Sequence, residues 1–182
     1  MPLSFDCPYH TTRFSVATVH FYRKPANNEL GWWSELEIAI LGAQANALRA
    51  HLSFPVSAFS DAAECGARRW VLLALCDAPT AWAARALRCD TLLLPGCSNP
   101  AAVRAIAPGQ AVGYGFSPRD TLTLSSLTSD RPLLCVQRSV LTLHGAWLQP
   151  QELPLPRRFA ALPGEQALLL AGIELLCASA FE

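Results

Sequence analysis

The chain has only one lysine, Lys24, and one methionine in 182 residues, and its ten glycines never gather into a loop that could cradle phosphate. A nucleotide loop of the G-x-x-x-x-G-K-[ST] type needs a lysine beside clustered backbone amides, so that chemistry has no carrier here. Charge is scarce as well. Fourteen basic and fourteen acidic residues cancel, and arginines adjoin only at Arg68-Arg69 and Arg157-Arg158. No nucleic-acid partner is expected, since neutralising phosphates takes a concentrated basic face. The longest apolar runs, such as residues 71–76 and 167–171, are far shorter than the ~20 residues of a membrane span. A charged start followed by a continuous apolar segment is missing, so export is not expected and the compartment is read as the reducing cytoplasm. The spacings C-x-x-C and H-x-x-x-H are absent, and Cys89 to Cys97 is too long for a paired-ligand knuckle, so neither a metal nor another cofactor is expected. Seven cysteines, an odd number without close pairs, read as small hydrophobes and not as a disulfide framework.

What the chain does have is apolar mass: 52% hydrophobic residues and a mean hydropathy of +0.25. That suffices for a core in one domain spanning residues 1–182. Residues 13–23 are β-branched and aromatic and stop at Lys24-Pro25, which predicts a strand. Residues 29–52 carry Trp33, Leu36, Ile40, Leu41, Leu48 and Leu52 at spacings near three and four, which predicts one long helix. A short helix is expected over 61–67. Continuous apolar runs at 70–76 and 91–94 read as strands covered on both faces, with a helix over 79–88 between them. Asn99-Pro100 supplies a cap and a first-turn proline for a helix through Ile106, and 111–114 returns to the sheet. From Thr121 the pattern alternates, and residues 121–144 are expected to add antiparallel strands at one edge. A crossing marked by Pro150, Pro154, Pro156 and Pro163 leads to a last helix over 164–180, with Leu168, Ala171, Leu175 and Leu176 as its apolar face. Repeated strand and helix at this spacing predict an α/β fold: a Rossmann-like, three-layer parallel sheet with antiparallel edge strands.

The order from residue 89 onward carries a resemblance. TLLLPGCSNP, then VGYGFS, then LTLHG, closed by an alanine- and leucine-rich helix, resembles the second half of the central domain of the Mur ligases, the ATP-dependent amide-forming enzymes of peptidoglycan synthesis. It implies a bacterial chain with a core over 69–181 and a link to cell-envelope metabolism. The departures from the family pattern are large. Lys24, between Arg23 and Pro25, cannot fill either lysine role of the family. Gly96, Cys97, Ser98 and Asn99 stand where the family has an asparagine followed by acidic residues. The chain also leaves no room for the family's peptide-binding domain. On this resemblance ATP-dependent ligation is not retained.

In an open parallel sheet, ligands lie beyond the carboxyl ends of the strands. Three such ends give the candidate site: Asp77; the loop of Gly96, Cys97, Ser98 and Asn99; and Gly115 with Ser117 around Phe116. The middle loop could hold a small anionic ligand through Ser98, Asn99 and helix amides, although Asn99 and Pro100 are also explained as a helix cap alone. Gly113 and Gly115 are also explained by close packing or a positive φ angle alone. Cys97 with His10, His20, His51 or His144 could form a nucleophile and base, but no family-specific motif supports any pair. Trp32 and Trp33, about 100° apart on a helix, cannot both be buried against one surface, which points to a homodimer or protein partner there. Arg138 beside Gln137 could face an anion. Two readings therefore stand: a non-catalytic Mur-ligase-like domain that binds a small molecule or a protein, and a small stand-alone hydrolase or transferase using the strand-end loops.

Overall fold

A computed structural model describes residues 37–66, 68–125 and 132–178. The strand expected over 13–23, the Trp32-Trp33 surface and Lys24 lie outside the described residues, as does Ser126.

The first described strand, β1 (Ile38–Leu41), overturns part of the sequence reading. Residues 29–52 are not one helix. Ile-Ala-Ile-Leu is buried at every position, as a strand with both faces covered must be, and Gly42 at φ 140° ends it. Only α1 (Ala45–Arg49) of the expected helix remains in the described part. The three- and four-residue spacing arose because α1's Leu48 and β1's alternate residues face the same core.

The chain continues through β2 (Ser57–Phe59), α2 (Ala62–Cys65), β3 (Arg69–Leu75), α3 (Ala81–Ala84), β4 (Arg88–Pro95), α4 (Pro100–Ile106) and β5 (Gln110–Tyr114). The short helices depend on their caps. Asp61 accepts hydrogen bonds from the amides of Ala63 (2.8 Å) and Glu64 (3.0 Å), while Glu64 accepts one from the Ser60 amide (2.7 Å), a reciprocal arrangement at the start of α2. Asn99 caps α4 by accepting from the Ala101 amide at 2.8 Å, as its position before proline predicts. The helix expected over 79–88 shrinks to α3, because Arg88 already belongs to β4 and pairs with Arg69 of β3.

Three further strands complete the main sheet: β6 (Leu122–Leu124), β7 (Leu133–Val136) and β10 (Gln151–Pro154). Its order is β10-β7-β6-β5-β4-β3-β1-β2, eight strands in all. The pairs from β2 through β6 are parallel, and β7 runs antiparallel to both neighbours. The parallel α/β sheet with antiparallel edge pairing is thus present, with two differences from the sequence reading. β6 joins β5 in parallel, through the single register Tyr114↔Leu122. Residues 140–144 leave the main sheet: β8 (Val140–Leu141) pairs with β9 (Trp147–Leu148) in a separate two-stranded piece. Its anchor is Gln110, whose side-chain amide donates to the Leu141 carbonyl (2.9 Å) and accepts from the Leu141 amide (2.8 Å), imitating a strand pair.

Period-two alternation sorts the inner strands into two cores. Ile38, Ile40, Leu72, Ala74 and Leu93 face one layer with α1 and the last helix, α5 (Gly164–Cys177). Ala39, Leu41, Leu73, Leu75, Leu92 and Leu94 face the other, with Cys65 of α2, Ala84 of α3, and Ala102 and Ile106 of α4. α5 buries more than the single face read from its sequence: residues 167–173 and 175–177 are all buried. A helix apolar nearly all round belongs inside, and Phe159, fully buried, packs in the same core.

Candidate functional site at the carboxyl edge of the sheet

The strand order fixes where the chain leaves an opening. From β1 the chain passes through α1 to β2 on one side, whereas from β3 it passes through α3 to β4 and then α4 to β5 on the other. The helices of these two excursions cover opposite faces, as right-handed crossovers in opposite directions require. The connections therefore part at the carboxyl ends of β1 and β3, the topological switch point where open α/β sheets bind ligands.

Gly42 and Asp77 border that point. The Cys76 amide donates to the Leu41 carbonyl at 2.8 Å, tying the two strand ends together. A Cβ on Gly42 would stand 2.7 Å from Cys76 Cβ and 2.9 Å from Asp77 Oδ2, so only glycine lets the Asp77 carboxylate lean over the end of β1. Asp77 was expected at the site. Gly42 was not, because its segment read as helix.

Tyr114 is buried and reaches across the end of β4, where its hydroxyl donates to the Leu75 carbonyl at 2.8 Å. Burial pushes its phenol well above the usual range, and Cys76, Glu165, Asp77 and Cys97 push it the same way. Cys76 and Asp77 follow the end of β3, and Cys97 follows the end of β4, on that carboxyl edge. Burial also raises the Cys76 thiol to about 11, with Asp77 adding to the shift, so this sulfur is protonated at neutral pH. The amino-terminal turn of α5 closes the far side. Gln166 donates to the Gln44 side chain at 2.6 Å, joining α5 to the start of α1. Phe116, half exposed, has its ring over Gly164, where a Cβ would come within 2.6 Å of Cζ.

The loops after β4 and β5 hold a residue that the sequence reading passed over. Asp120 is buried, with its carboxylate in the space that side chains at Gly96 and Gly115 would fill. A Cβ on Gly96 would lie 1.6 Å from Asp120 Oδ1, and one on Gly115, at φ 158°, would lie 2.5 Å from Oδ2. Asp120 Oδ2 accepts from the Ser117 amide at 2.8 Å, and the Ser117 carbonyl accepts from the Asp120 amide at 2.9 Å. Gly96, Gly115 and Ser117 therefore do come together, around a carboxylate. The only sequence signal was the Ser-Pro-Arg-Asp turn itself.

Most amides of these loops are already used. Gly96 N donates to Tyr114, Ser98 N to Pro95, Gly115 N to Leu122, Ala101 N to Asn99 and Arg119 N to Ser117. The Ser98 hydroxyl oxygen is buried and has no hydrogen-bond partner among the described residues. Cys97 is exposed at the tip of the loop. Neither described histidine accompanies it: His51 follows α1, and His144 Nε2 lies 2.7 Å from the Cys177 carbonyl, at the opposite end of α5 from Gly164. His10 and His20 are outside the described residues. Arg138 donates to the Arg119 carbonyl and so braces this loop. Among the described residues no three His, Cys, Asp or Glu side chains gather as a metal site, and no helix is long and apolar enough to cross a membrane.

Comparison with family models, with curated proteins and with solved structures finds no match to this chain.

Proposed function

We propose that the chain is a non-catalytic α/β domain that binds a small molecule at the carboxyl edge of its sheet, between the ends of β1 and β3. The observation that carries this reading is the switch point itself, where Gly42 clears the backbone and Asp77 leans over it. Three features support binding over catalysis. The turn after β1, Gly42-Ala43-Gln44, has one glycine and no lysine, so no phosphate loop stands there. The Cys76 thiol and the Tyr114 phenol are held protonated by burial. Cys97 has no described histidine beside it to act as base.

The resemblance to the Mur ligase central domain fits this reading as descent with loss of the ATP machinery, and it implies a link to cell-envelope metabolism. The edge chemistry refines the ligand expected from sequence. An anion entering here meets the carboxylates of Asp77 and Glu165, and the loop amides that could hold it are mostly engaged. A ligand that donates hydrogen bonds or carries an ammonium group suits the site better.

The test is amide chemical-shift mapping with two fragment sets, primary amines in one and phosphates and carboxylates in the other. Amines are expected to shift Gly42, Asp77 and Gln166, and Asp77→Asn is expected to weaken them by about twofold to fivefold, the range of a solvent-exposed charge pair. Mg-ATP should give no specific heat in calorimetry. A micromolar, magnesium-dependent signal, or shifts centred on β8, β9 and β10, would overturn the proposal.

A further inference from the structure

We draw no further inference here: the strongest candidate, the acidic side chains Asp77 and Glu165 beside the amino-terminal turn of α5, belongs to the site already described, and no second feature of the structure says what else it would hold.

Discussion

The carboxylate of Asp120 sits where a side chain at Gly96 would have to be, with Oδ1 1.6 Å from the position of a Cβ. Residues 24 positions apart thus share one volume, and each constrains the other. Gly96→Ala is expected to cost about 3 kcal/mol, the upper end for overpacking a filled interior. Asp120→Ala should cost ~1–3 kcal/mol by leaving the Ser117 amide without its acceptor. The double variant should lose clearly less than the sum, because removing the carboxylate makes room for the methyl. Urea unfolding of the four proteins measures the coupling; strict additivity would show that the two residues do not compete for space.

Tyr114→Phe keeps the ring and removes only the hydroxyl that reaches Leu75. A loss of about 1 kcal/mol is expected, the usual net value of an intramolecular hydrogen bond. Exchange should quicken at the amides of Cys76 and Asp77 before it does in the interior of β4. Hydrogen exchange read by NMR checks this, and uniform acceleration across the sheet would assign the effect to global stability alone.

The buried thiols give stability an alkaline limit. Burial raises Cys65 and Cys76 from 9.0 to about 11 and Cys89 to about 12. In the unfolded chain these groups lose their protons near pH 9, while the folded chain retains them, so the unfolded state binds fewer protons as pH rises. Their contribution is fully present below pH 9 and is lost progressively toward pH 11–12; Tyr114 acts with the same sign. Urea midpoints under reducing conditions should therefore fall steadily above pH 9. Cys89→Ala should flatten that fall while lowering stability at neutral pH. A midpoint independent of pH between 8 and 11 would contradict it.

Asn99→Ala removes the α4 cap and should cost ~1 kcal/mol, with Asn99→Asp nearly neutral. Ser98→Ala, in contrast, deletes a buried hydroxyl without a partner among the described residues and is expected to be neutral or slightly stabilising. Thermal melts of the three variants separate the cap from its neighbour. Equal losses at Ser98 and Asn99 would mean that the Ser98 hydroxyl has a partner in solution.

The centre of the sheet was legible because burial on both faces writes itself locally. β3 and β4 carry continuous apolar runs at 70–76 and 91–94, and Asn99-Pro100 marks a helix start in two letters. The strand at Ile38–Leu41 was hidden by the same physics. Four buried residues, of which Ile38 and Ile40 share a core with Leu48 of the next helix, produce a spacing that also suits one helix, and chain pattern cannot say which partner covers each residue. The places of Asp77, of the Gly96-Cys97-Ser98-Asn99 loop and of Gly115 and Ser117 just beyond strand ends were legible. Gly42 was lost with its strand. Asp120 was illegible for a different reason: its role is set by absent side chains on two other loops, a relationship that exists only once β4 and β5 are paired. The switch point is likewise a property of strand order, which neighbouring residues do not encode.

α5 follows every strand of the sheet in the chain, yet it supplies much of the core on the face shared by Leu93, Val112, Tyr114 and Leu122. On the ribosome, that face can pair its strands but lacks the cover of α5 until residues 164–177 have emerged. A nascent chain halted before Gly164 would leave the apolar side chains that α5 buries without that partner, and transiently exposed apolar surface of this kind is prone to aggregation.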